Sequence, residues 1–152
     1  TIQSLDLLGR KVLGNNGATL QKFGKLVGKL VAEEGVNEKM AEFINPIAYL
    51  GDQMTKFTTE IGFKGYQNPD EIGAAAVDYL RVAGHLVFGY FWARMAQTAL
   101  REIAAGNTDP FYVAKLQTAR FYFAKLFPET ATLMRTARAG SKVLIDTDAA
   151  LA

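Results

Sequence analysis

The sequence predicts an all-α protein: an up-and-down bundle of about four main helices, with a long central helix. Three observations carry that expectation. After Pro69 the chain holds no proline until Pro110, and helix start and stop signals bracket the run. Apolar residues recur with the 3.6-residue period over 18–34, 37–61 and 110–137. Short clusters of Gly, Asn and Pro separate these stretches, as turn chemistry requires.

Residues 1–13 read as a short helix, with Ile2, Leu5 and Leu8 on one face. Gly14-Asn15-Asn16-Gly17 is a loop. In 18–34, Leu20, Phe23, Val27, Leu30 and Val31 form the apolar stripe, and Lys22, Lys25 and Lys29 form a basic stripe beside it. Gly24 and Gly28 sit four apart, a spacing that suggests close helix packing, and each weakens the helix by up to about 1 kcal/mol. From Asn37 the residues Met40, Phe43, Ile44, Ile47, Leu50, Met54, Phe57 and Ile61 keep the helical period, and Met40 and Met54 read as core. Pro46 lies inside this run and is expected to bend the helix without ending it. Gly62 to Gln67 reads as a loop whose Phe63 and Tyr66 lid the bundle.

The central helix follows. Asn68 is its N-cap candidate, Pro69 suits the first helical position, and Asp70 and Glu71 place negative charge in the first turn. Glu71 is expected to reach back to the cap. With a stop at Gly106 the helix spans about 37 residues, roughly 55 Å. Its polar residues change sides: Asp78, Arg81 and His85 make one stripe, and Arg94, Gln97 and Arg101 make another roughly opposite. The two halves therefore face different neighbours. Residues 86–92 are apolar all round, which predicts burial on every side. Asp109 and Pro110 then open the last long helix, Pro128 is expected to bend it, and Gly140 ends it. The tail 141–152 carries too few apolar residues to fold alone and reads as docking elsewhere.

Composition narrows the function. With 17 basic and 15 acidic residues the net charge is +2, too small to argue for nucleic acid. Arg81, His85 and Arg94 break up any membrane span. The absence of cysteine excludes disulfides, thiolate metal sites and thiol nucleophiles, and fits a cytoplasmic, reducing setting. Asp6, Arg10 and Lys11 interrupt any signal-peptide core. Thr1 stands where an initiator methionine would, which reads as a fragment of something longer.

The segment Ile-Gln-Ser-Leu-Asp-Leu-Leu-Gly-Arg-Lys at 2–11 resembles the stretch that follows the catalytic Glu-Gly-Thr motif of acyl-CoA dehydrogenases. It is similar in particular to the bacterial branch with an extra C-terminal domain, which includes the 3-methylmercaptopropionyl-CoA dehydrogenases. Asn-Pro-Asp-Glu-Ile-Gly-Ala-Ala-Ala at 68–76, Tyr-Phe-Trp-Ala-Arg-Met-Ala at 90–96 and Ala-Arg-Phe-Tyr-Phe at 119–123 extend the match. The resemblance implies a parent that uses FAD and a glutamate base to convert an acyl-CoA thioester to the 2-enoyl-CoA. That glutamate, the flavin-holding domain and most of the acyl-CoA site are not in this sequence. The resemblance makes 1–13 the remnant of a preceding helical domain and 14–152 the C-terminal bundle. It makes Thr1 the one residue matching a flavin-contacting position, and only in an intact parent.

No catalytic or metal residue emerges from the residues themselves. His85 is the only histidine, so neither a zinc site nor Glu-x-x-His iron pairs can form. It reads as a packed, hydrogen-bonded residue. Asp78, Arg81 and His85 form either a surface salt-bridge network worth up to about 1 kcal/mol or a contact to a missing catalytic body. Phe111, Tyr112, Phe121, Tyr122 and Phe123 read as core. The expected partners are the parent's catalytic body or a second subunit, with homo-oligomers driven by the apolar central helix. An independent interaction bundle without chemistry is the alternative.

Overall fold

The computed structural model describes residues 2–15 and 17–145. Helix α1 spans Ile2–Leu5 and runs on in wider π geometry over Asp6–Leu13. The other helices are α2 (Ala18–Glu34), α3 (Ala41–Gln67), α4 (Asp70–Ala104), α5 (Pro110–Phe121), α6 (Glu129–Ala137) and α7 (Lys142–Ile145). A 3₁₀ turn, Glu38–Met40, leads into α3, and a π stretch, Tyr122–Leu126, follows α5. No strand occurs among the described residues. The helices form the expected bundle: α4 is central and packs against α3, α5 and α6.

The caps work largely as local chemistry dictates. The Asn68 carboxamide accepts from the Asp70 N–H at 3.1 Å, and Asp109 caps α5 through the Phe111 N–H at 2.9 Å. Gly106 takes the left-handed conformation, φ 87°, that ends α4. Glu71 does not turn back to Asn68. Its carboxylate accepts from the Ser141 backbone N–H at 3.0 Å and from the Ser141 hydroxyl at 2.5 Å, fastening the chain after α6 to the start of α4. These bonds hold the Glu71 carboxyl below its ordinary range, the hydroxyl contributing most. The tail, expected to dock elsewhere, is instead fastened at Ser141 to this chain itself, and residues 146–152 lie outside the described residues.

Further sequence expectations need correction. Gly62 to Gln67 is helix, the last turns of α3. A Cβ on Gly65 would stand 2.5 Å from the Ile72 side chain, so the glycine is there to let α3 and α4 approach. Phe63 and Tyr66 point to solvent and lid nothing. Gly24 and Gly28 are not at a close helix crossing, since a Cβ at either meets nothing within 4 Å. The apolar segment 86–92 is not buried all round: Leu86 and Gly89 are inside, while Phe88 and Phe91 are 61% and 54% exposed.

The prolines behave differently from each other. Helix α3 runs unbroken through Pro46. At Pro128 the α-helical ladder gives way to the π stretch, where the Phe127 N–H bonds the Tyr122 carbonyl at 2.9 Å, and α6 restarts after a two-residue turn. The backbone stays right-handed helical at Phe127 and Pro128. The strain of the missing N–H is absorbed by the wider turn upstream.

The core is continuous. Met40, Phe43, Ile47, Met54, Phe57 and Tyr79 are all at most 1% exposed. Phe43 meets Phe123 edge to face at 5.6 Å between ring centres. The Tyr79 hydroxyl lies 2.7 Å from the Thr58 hydroxyl, whose own proton goes to the Met54 carbonyl, so Tyr79 donates. Burial pushes the Tyr79 hydroxyl pKa up. Leu8 and Val12 join this core, which ties 2–13 to the bundle.

Candidate functional site

The two polar stripes of α4 do face different neighbours. On one side Arg81 and His85 meet Glu129 at the start of α6. The Arg81 guanidinium bonds Oε1 of Glu129, and His85 Nε2 lies 2.9 Å from Oε2. Tyr122 completes the group: its hydroxyl donates to the His85 carbonyl at 3.1 Å and lies 3.0 Å from His85 Nδ1. Trp92 stacks on the Tyr122 ring and Phe127 meets it edge on. On the other side Gln97 bonds Glu34, and Arg94 stands 3.8 Å from Glu33, both carboxylates belonging to the end of α2.

The His85 group is built for cohesion. Its hydrogen bond to His85 lowers the Glu129 carboxyl pKa most, with the Arg81 charge adding to it, so Glu129 stays ionised and accepts only. Burial pushes the Tyr122 hydroxyl up to about 12, so it remains a proton donor in a hydrogen bond and not a base. Asp78 stands outside this group. Among the described residues no three His, Cys, Asp or Glu side chains come together to hold a metal. Every buried side-chain nitrogen and oxygen among them already has a partner, so no orphaned polar atom waits for a flavin ring. Thr1, the flavin-contacting candidate of the resemblance, lies outside the described residues.

One face that the bundle leaves open is apolar. Val77, Phe88, Phe91 and Met95 lie along one line of α4 at heptad-like spacings, with Gly84 between them, and all four side chains are exposed. Toward the end of α4, Phe91, Met95, Thr98 and Ala99 form the floor of a groove of about 320 Å³ whose other wall is Phe111 and Tyr112 of α5. Arg94 and Lys115 are the charged residues lining it. Phe111 is 56% exposed, as is Phe121, and Tyr112 is half-buried, so the aromatics of α5 lie toward the surface, while Tyr122 and Phe123 of the following π stretch pack inward. Sequence periodicity missed this face because an exposed apolar stripe on a helix apolar all round leaves no polar gap to mark it. No helix among the described residues is long and apolar enough to cross a membrane.

Among the described residues the bundle thus presents an uncovered apolar face, a kind of surface that marks contacts with other protein. Residues 19–148 match the family model described as acetyl-CoA dehydrogenase C-terminal like. The chain belongs to this family of C-terminal acyl-CoA dehydrogenase domains. It is also 30% identical over 132 residues to the 3-methylmercaptopropionyl-CoA dehydrogenase of Ruegeria pomeroyi. That match covers 84% of this chain and 22% of the relative, so the chain spans under a quarter of the curated protein it resembles.

Proposed function

We propose that this chain is the C-terminal accessory domain of an FAD-dependent acyl-CoA dehydrogenase of the cytoplasm, whose parent oxidises an acyl-CoA to the 2-enoyl-CoA. The observation that carries the reading is the match to a dehydrogenase of which the chain corresponds to only 22%. On this reading 1–13 end the preceding helical domain, 14–152 form the accessory bundle, and the flavin and the glutamate base belong to the upstream body. Thr1 is the single position assigned to flavin, and only in the intact parent. The bundle's part is to pack against that body or a second subunit. The uncovered apolar line of α4 supports a packing role, because contiguous apolar patches of more than a few hundred Å² are rare on lone proteins.

Two measurements test this. A reading frame that supplies Glu-Gly directly before Thr1, completing Glu-Gly-Thr, separates an accessory domain from an independent interaction bundle. The purified chain alone is expected to oxidise no acyl-CoA and to carry no flavin. Flavin absorbance co-purifying at near one per chain would overturn the assignment of the cofactor to the upstream body.

A further inference from the structure

The geometry points to the occupant of the α4–α5 groove: an amphipathic helix with an acidic flank, contributed by the upstream part of the same polypeptide. This rests on the accessory-domain reading and adds to it the surface and the chemistry of its partner. Three observations carry it.

The floor is apolar and lies along one line of α4. Phe91 and Met95 of α4 stand beside Phe111 of α5, and Phe88 continues the line one turn toward the N-terminus. Side chains at these heptad-like spacings pack naturally against apolar residues three and four apart on another helix.

The rim is cationic. Arg94 and Lys115 line the groove, and no carboxylate does. Lys115 lies over the Phe111 ring at 5.2 Å, with no carboxylate partner among the described residues, and Arg94 reaches Glu33 of α2 only at 3.8 Å. Both cations are thus placed to pair with acidic residues flanking an incoming apolar stripe. A second copy of this chain fits poorly, because the rim it would bring is again Arg94 and Lys115. Like charges facing each other across an interface oppose association.

The face also leads to the right place. At its N-terminal end, Gly73 and Ala74 of α4 share a shallow depression with Leu5 and Gly9 of the first helix. Polypeptide upstream of Thr1 would enter beside α1, at the end of the same line. The relative has 78% of its length outside the match, and a parent of that size has ample chain to lie along this face.

The sequence contains no cysteine, so single cysteines report on this face without background from the domain. Phe91→Cys and Met95→Cys are introduced into the native-length protein, with Lys56→Cys on the outer face of α3 as reference. Maleimide labelling of Phe91→Cys and Met95→Cys is expected to be at least tenfold slower than at the reference and independent of protein concentration. Arg94→Glu with Lys115→Glu is expected to restore labelling to the reference rate, while Lys115→Arg leaves protection intact. Labelling at the reference rate in the native-length protein overturns the inference and leaves the accessory-domain reading standing. Protection that disappears on dilution, with cross-links between equivalent residues of two copies, assigns the face to self-association and also overturns it. Protection indifferent to charge reversal overturns the acidic partner. A native product whose intact mass equals the 16.6 kDa of this chain removes the upstream body, and with it both readings.

Discussion

Tyr122 has one hydroxyl proton, and it goes to the His85 carbonyl. The same oxygen meets His85 Nδ1, and the far side of that imidazole faces Glu129. Removing the hydroxyl therefore removes the bond to the His85 carbonyl and the contact with Nδ1, at a buried residue. Tyr122→Phe is expected to lower stability by about 1–2 kcal/mol, read from urea denaturation midpoints at unchanged slope. Glu129 adds a pH dependence. Its carboxyl is held below the ordinary 4.5 by His85 first and by the Arg81 charge. A depressed carboxyl contributes stability above its unfolded value and loses it as pH falls through the folded one. The stability difference between the natural protein and Glu129→Gln should thus be present at neutral pH and shrink as acid is added. A difference that grows in acid would contradict the pairing. Because Glu129 is exposed, solvent screens the effect and it stays small. The sequence placed Arg81 and His85 on one stripe but could not name Glu129 or Tyr122, which are 44 and 37 residues from His85. Partners that distant leave no trace in local spacing.

Elements read well where capping chemistry is local and poorly where tertiary packing decides. Asn68, Asp109 and Gly106 set the ends of α4 and α5 as their residue types require. The segment 62–67 looks like a loop because two glycines and exposed aromatics weaken a helix. It is helix because Gly65 lets α3 lie against Ile72. Gly89 does the same on α4, where a Cβ would stand 2.9 Å from both Ile47 and Phe127. Gly65→Ala and Gly89→Ala are each expected to destabilise the fold by about 1–3 kcal/mol despite the better helix propensity of alanine. Ile72→Ala should recover part of the Gly65→Ala loss, since it removes the atoms the new methyl would strike. A stabilised Gly65→Ala, seen as a higher unfolding midpoint, would show that α3 has room there.

At the scale of the whole molecule, the bundle closes its core and leaves one side of its central helix uncovered. The all-α architecture was legible because the period and the punctuation agree over most of the chain. The uncovered face was legible only in outline: residues 86–92 announced excess apolar surface, yet not which side stays open. Phe88→Ser with Phe91→Ser is expected to change the stability of the isolated chain by no more than about 0.5 kcal/mol, because both rings are exposed. The same pair should sharply reduce binding of a dye that reports exposed apolar surface. Substantial unfolding instead would mean that these rings support the core.

The bonds from Ser141 to Glu71 have a kinetic meaning. They close a ring of some 70 residues that contains α4, α5 and α6. Closing so long a loop carries an entropy penalty that rises only slowly with length, and the contact that seals it can form only after the helices inside have packed. The seam is therefore expected to seal late in folding and to open early. Amide exchange at Ser141 should report openings of this seam well before the rest of the bundle unfolds.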